Sequence, residues 1–217
     1  MSKAEILERI RTSLHRRGEL PQGVQKSLRR RLRKPAKHIR PAFDESPRER
    51  LEAKAGGVAA TVASCNHKRA ISASVAEYLD ARNLPKEIVV SDDPLLEGVS
   101  WSNELTVKHG LPGPSDLTSV TGAVAAIAET GTLVLLSAPE SPTTLNLLPE
   151  NHIVAVRESD IVSHQEDVWS LLRKRSKGMP RTVNLITGPS RTGDVEQVLQ
   201  LGAHGPRQLH VVIVEDD

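Results

Sequence analysis

Cysteine, aromatic side chains and long apolar runs are all scarce in this chain, and each scarcity closes off a class of function. A single cysteine, Cys65, in 217 residues allows no internal disulfide and no iron–sulfur cluster on the usual four thiolates. No His or Asn spacing of a known thiol enzyme accompanies it, so Cys65 reads as a small buried residue. Four aromatics, Phe43, Tyr78, Trp101 and Trp169, are too few for a stacking platform on single-stranded nucleic acid. The core must therefore be built from Leu, Ile, Val and Ala. No apolar run approaches the roughly 18 residues of a membrane span, and the opening MSKAEILERI lacks the apolar stretch of a signal peptide. A soluble cytoplasmic protein is expected. The eight histidines show no HExxH spacing and there is no cysteine pair, so no metal site is expected.

What is present is ordinary in proportion and lopsided in charge. The chain is 38% hydrophobic and 26% charged, enough apolar material for a globular core. Its net charge of +2 hides a basic start: residues 1–40 hold 13 Lys and Arg against 3 Glu, and the remainder holds 16 basic against 24 acidic residues. A basic arm on an acidic body suits nucleic acid, an acidic partner or the body itself. Ser2 and Glu5 have capping-box spacing, followed by Ile6, Ile10 and Leu14 at intervals of four. Gly18 breaks that helix. A second starts near Leu20 and Pro21, carries Leu20, Val24, Leu28 and Leu32 on one stripe, and stops at Pro35. Both stripes call for burial against something. Arg29, Arg30, Arg31, Arg33 and Lys34 then read either as a solvated face near a helix C-terminus or as a partner contact.

From Ser46 the pattern becomes an alternation of helices and short strands. Ser46 and Glu49 form a second capping box, with Pro47 in the first turn. A strand is expected over 58–62, a helix from about His67 to Asn83, and a compact strand over 87–90 that ends in Ser91-Asp92-Asp93-Pro94. Residues 98–117 read as loop with a weak strand near 105–108. Two apolar segments around Glu129-Thr130-Gly131 read as a hairpin. Strands follow over 152–156, 183–186 and 209–214. Helices are expected from a capping box at Ser163 and Glu166, and over about 194–201. Such alternation implies an α/β fold with a parallel or mixed sheet covered by helices. The division is a basic helical arm, 1–45, and an α/β domain, 46–217.

Three constellations could carry chemistry. Glu129 is one acid among apolar neighbours, suited to act as base, nucleophile or acceptor beside Thr130 and Thr132. The bland alternative is a solvated hairpin turn in which Gly131 takes a positive φ. In Gly188-Pro189-Ser190-Arg191-Thr192, read as a strand running into a helix, backbone N–H groups and Arg191 could hold a phosphate or carboxylate. Equally, Ser190 or Thr192 could simply cap that helix. Neither the phosphate-binding loop nor the dinucleotide fingerprint is matched. Last, His204 sits among small residues before Gly205 and Pro206, where it could bind an anion or make a structural hydrogen bond.

Taken together, TGAVAAIAETGTLVL, LLPENHIVAV and ITGPSRTGDVEQVLQLGAHGP resemble the LUD-domain family of the lactate utilization protein C type, over about 118–214 and more loosely from 46. The resemblance implies a three-layer α/β fold similar to the sugar-phosphate isomerase and CoA-transferase superfamily. It also implies work with two iron–sulfur partner proteins in oxidising L-lactate, a small carboxylate, to pyruvate, with the clusters in the partners and no cofactor in this chain. Thr121 and Gly122 match the start of the first family motif, and Glu129, Thr130, Gly131 and Thr132 its acidic turn. Gly188, Pro189, Ser190, Arg191 and Thr192 match the second, and His204, Gly205 and Pro206 the third. Val124 departs from the Asp or Asn of many members. Glu129 becomes the candidate catalytic residue by fold analogy, and the three motifs are expected to line one cleft at strand ends. Two other readings stay open: an independent enzyme on a CoA, nucleotide or sugar-phosphate ligand, and, least favoured, nucleic-acid binding through the arm.

Overall fold

The computed structural model describes residues 1–16, 18–33, 39–175, 178–195 and 198–215. The chain divides into two compact units, Met1–Pro41 and Ala42–Asp217. The first contains α1 (Lys3–Ser13) and α2 (Gln22–Arg33). The expected box closes α1: the Glu5 N–H donates to Ser2 Oγ at 3.3 Å, and the Ser2 N–H donates to Glu5 Oε2 at 2.6 Å. Neither helix buries a single residue. Lys34 and Pro35, expected at the end of the second helix, lie outside the described residues.

The second unit opens with α3 (Pro47–Gly57), capped by Ser46 and Glu49 as expected, then β1 (Thr61–Cys65). That strand starts three residues later than expected, because α3 runs on to Gly57 and Ala59 turns the chain with φ 66. There follow a 3-10 turn (Lys68–Ala70), α4 (Ile71–Ala81), β2 (Glu87–Val90), β3 (Thr106–His109), β4 (Thr118–Gly122), β5 (Ala125–Ile127) and β6 (Thr132–Leu136). The chain continues through β7 (Asn151–Arg157), β8 (Ile161–Val162), α5 (Gln165–Lys174), β9 (Val183–Ile186), β10 (Arg191–Val195), β11 (Val198–Leu201) and β12 (Gln208–Val214).

Six strands form a wholly parallel sheet in the order β1-β12-β7-β4-β2-β3. Its side chains alternate between two cores, as the pleat requires. Ile153, Ala155, Val212 and Val214 pack with Ile71, Val75 and Leu79 of α4. Their neighbours Val154, Val156, Val211 and Ile213 pack with Leu51 and Ala55 of α3. A smaller sheet, β8-β5-β6-β9, lies against that second core. It offers Ala126, Leu133 and Leu135 inward, while Ala125, Ile127, Val134 and Leu136 meet Val168 and Leu172 of α5. Burial on both faces is why 125–128 and 132–136 read as unbroken apolar runs.

Three local expectations change. The first apolar segment before Glu129 is divided between β4 of the large sheet and β5 of the small one; only β5 and β6 form the hairpin. The α5 cap sits one residue later than Ser163, with the His164 N–H donating to Asp167 Oδ2 at 3.2 Å. The helix expected over 194–201 is instead, in its described residues, part of the antiparallel pair β10 and β11. Its base is fixed by bonds a helix could not make: the Ser190 N–H donates to the Pro206 carbonyl at 2.8 Å, and the Gly202 N–H to the Ser190 carbonyl at 3.0 Å. Non-local pairing overrides a helix preference that was weak.

Candidate functional site

The β5–β6 turn and the segment after β9 meet through hydroxyl groups. Thr130 Oγ1 lies 2.7 Å from Thr132 Oγ1, which lies 2.6 Å from Thr187 Oγ1. This chain of three hydroxyls links the acidic turn to Gly188. Gly131 (φ +72) approaches α3 so closely that a Cβ would stand 2.8 Å from Lys54 Cβ. Gly188 (φ +76) does the same against Val58, at 2.8 Å from Cγ2 and 2.9 Å from the carbonyl oxygen. Both positions combine a left-handed backbone with a filled space, so only glycine fits without strain. The end of α3 is thus the surface on which both motifs seat. Arg191 Nη2 donates to the Val58 carbonyl at 2.8 Å, holding an otherwise exposed guanidinium beside the same spot.

Glu129 is half-buried, and its N–H donates to the Ser163 carbonyl at 3.1 Å. The turn is therefore the one expected of Gly131's positive φ, with Glu129 at its rim. Ser190 is half-buried, and a Cβ on Gly205 would stand 3.3 Å from Ser190 Cβ. His204 is exposed. No helix begins at Ser190, so the expected helix-terminal anion site and helix cap are both replaced by a hairpin base. Thr192 lies on β10.

Thr121 and Gly122 stand apart from this group. Gly122 is level with Ala155, whereas Gln208, which follows Gly205 and Pro206, is level with Asn151 and Thr118. Four residues of strand separate those levels by about 13 Å. The single cleft expected for all three motifs is thus not formed: two motifs and the acidic turn gather where β1 and β12 begin, while Gly122 lies where β4 ends. Thr121 is buried, with its Oγ1 2.8 Å from His152 Nε2. Burial alone pushes the His152 imidazole down to about 3, so it is neutral at neutral pH. Gly122 donates its N–H to Asp93 Oδ2 at 3.0 Å, and the Ser91 hydroxyl donates to the same oxygen.

A concavity elsewhere in the domain escaped the sequence. Strand order reverses between β2 and β4, and ligands of open α/β sheets favour the crevice beyond such strand ends. Here Ser91, Asp92, Trp101 and His109 line a cleft of about 450 Å³. Next to it, His67, Lys68, Arg69 and Glu97 line another of about 490 Å³. His109 Nδ1 pairs with Asp92 Oδ1 at 2.8 Å, and Lys68 Nζ donates to the Pro94 carbonyl at 3.2 Å. The Ser-Asp-Asp-Pro turn after β2 was the available signal, but its basic neighbours come from distant segments. Cys65, at the end of β1, is free and buried, and burial pushes its thiol upward. Among the described residues, no group of three His, Cys, Asp or Glu side chains could hold a metal ion.

Residues 117–214 match the model of the LUD domain, so the resemblance read from the motifs holds over that span. The chain is similar to the uncharacterized protein NMB1437 of Neisseria meningitidis, 41% identical over 96 residues, covering 44% of this chain and 41% of that protein. It is similar to lactate utilization protein C of Bacillus licheniformis, 33% identical over 100 residues, 45% of this chain and 42% of that protein. It is also similar to the Bacillus subtilis protein of the same name, 34% identical over 93 residues, 42% and 39% of the two chains. The chain thus spans about two-fifths of the length of these curated relatives. A solved DUF162 family protein from Deinococcus radiodurans shares the fold, with a TM-score of 0.58 at 21% identity over 79% of this chain and 99% of that one.

Proposed function

We propose that this LUD-domain chain is a component of a bacterial L-lactate utilization system, working with two iron–sulfur partner proteins in the cytoplasm. We also place its fold, as a three-layer α/β domain, beside the sugar-phosphate isomerases and CoA-transferases. The observations that carry the functional reading are the LUD match over 117–214 and the similarity to proteins named for lactate utilization. That span contains Glu129, the three joined threonines and Arg191. Among the described residues, no helix is long and apolar enough to cross a membrane.

In this reading the exposed guanidinium of Arg191 holds the lactate carboxylate, since a planar fork of donors matches two carboxylate oxygens. The Thr130, Thr132 and Thr187 hydroxyls take the 2-hydroxyl, and Ser190 and His204 close the rim. Glu129 accepts a proton as the alcohol becomes a ketone. Oxidation of lactate to pyruvate releases two electrons and two protons; the electrons pass to the partner proteins. The test is lactate-dependent dye reduction by the chain, alone and reconstituted with the two iron–sulfur proteins. Activity is expected in the three-part mixture only. Glu129→Gln and Arg191→Ala are each expected to lower it about 100-fold or more, while leaving the fold intact. Full activity in both variants would sink the assignment of these residues.

The cleft of His67, Lys68, Arg69 and Glu97 favours a second reading, an enzyme on a CoA, nucleotide or sugar-phosphate ligand. It predicts that CoA, ADP or ribose 5-phosphate raises the melting temperature of the isolated chain, because a ligand that binds only the folded state stabilises it. No shift with any of them at millimolar concentration removes that reading.

A further inference from the structure

The arm presents a surface that the body's chemistry does not use. Leu7 and Ile10 of α1, Leu28 of α2, and Leu14 and Leu20 from the segment that joins them line one groove of about 930 Å³. They are exposed by 41%, 49%, 42%, 55% and 44%. Arg16 and Arg29 stand along the same groove, with Glu19 and with Arg11 paired to Glu8 at 3.5 Å. Helices of 11 and 12 residues are marginal in water unless an apolar face is covered, and these two bury none of theirs. A cover is therefore needed, and the groove's shape and charge choose among the candidates outside this chain. A second copy's arm would bring together two segments that each hold 13 basic and 3 acidic residues, which repel. A flat lipid surface suits a convex face with aromatic anchors, whereas this face is a concavity and the arm has no aromatic before Phe43. Nucleic acid would engage the arginines and leave the leucines in water.

We propose that the arm is a cradle for an acidic amphipathic helix of a partner protein. Its apolar anchors, spaced i, i+4 and i+7, fill the leucine groove, and its carboxylates pair with Arg16 and Arg29. The proposal is independent of the reading of the body. The test titrates the full chain into a labelled 18-residue peptide with leucines at that spacing and glutamates on the other face. The controls are a peptide of the same composition with scattered leucines and one with lysine in place of glutamate. The patterned acidic peptide should bind at least about tenfold tighter than either, and Ile10→Gln with Leu28→Gln should cost at least about tenfold. Glutamine keeps helix propensity, and circular dichroism checks that the arm still folds. Arg29→Glu should weaken binding and flatten its salt dependence. Equal affinity for the scattered peptide, or unchanged affinity in the Ile10/Leu28 variant, would overturn the proposal. So would sedimentation with anionic vesicles, or self-association in the ultracentrifuge, that the same double variant abolishes.

Discussion

Helix α4 spaces Ile71, Val75 and Leu79 four residues apart, and α2 does the same with Val24, Leu28 and Leu32. In α4 all three are wholly buried; in α2 they are exposed by 45%, 42% and 76%. The pattern therefore decides which face of a helix turns inward, and says nothing about whether an inside exists. Helix α4 finds one because β2, β4, β7 and β12 bring Ile88, Val120, Ile153 and Val212 under it from distant parts of the chain.

The sharpest way to break this contrast is truncation. Leu79→Ala should cost about 2–5 kcal/mol, through lost burial and a residual cavity. Leu28→Ala should stay within about 0.5 kcal/mol. Urea denaturation of the two variants measures both, and equal losses would mean that the arm's stripe is covered after all.

Acid should separate the regions next. Burial depresses the folded-state values of His152 and His210 to about 3 and about 4, from 6.5. The unfolded chain therefore binds their protons first. Stability is present above about pH 6.5 and falls as the pH drops towards 4, by about 1.4 kcal/mol per unit for each histidine. Between pH 6.5 and 5 the pair should cost the body roughly 3 kcal/mol. The His210→Gln variant should show about half that slope. Neither α1 nor α2 contains a histidine, so the loss is expected in the transition of the body, which holds both buried imidazoles.

Glycines give a smaller contrast of the same kind. Gly188→Ala meets Val58 and keeps a φ of +76, so a loss of about 1–3 kcal/mol is expected. Gly18 has φ +95 but open space around it, and alanine there should cost about 1 kcal/mol from the backbone alone. The smallest difference should come from ion pairs. Arg48 donates to Glu52, Glu158, Glu215 and the Ser64 hydroxyl across four segments. Its replacement by Ala should cost about 1 kcal/mol, against a few tenths, roughly, for the exposed Glu8–Arg11 pair of the arm.

Much of the fold was legible from local signals. The boxes at Ser2 and Ser46, the strands at 87–90 and 183–186, and the turn at Gly131 involve groups within a few residues of one another, which is the range over which capping and turn chemistry act. The division of 118–127 between two sheets was not legible, because Thr121 and Ala126 look alike to a window that cannot see β7 or β6. The site divides in the same way. Glu129 was visible as one acid among apolar neighbours, and Arg191 as the cation of a motif read as a helix start, which the structure makes a strand. Thr187 was missed because a threonine ending a strand carries no signal until Thr132 arrives beside it. Lys54 and Val58 were missed because their part is to offer a surface.

The amino-acid order by itself settled the α/β alternation, the charge split between arm and body, and the capped starts of α1 and α3, since each depends on covalent neighbours. Only the tertiary structure decided that residues 191–201 pair as strands, that two motifs seat on the end of α3 while Gly122 lies a strand's length away, and that one amphipathic helix is buried and another open. Those outcomes depend on which distant segments offer hydrogen bonds and apolar surface, and such partners are set by the path of the whole chain.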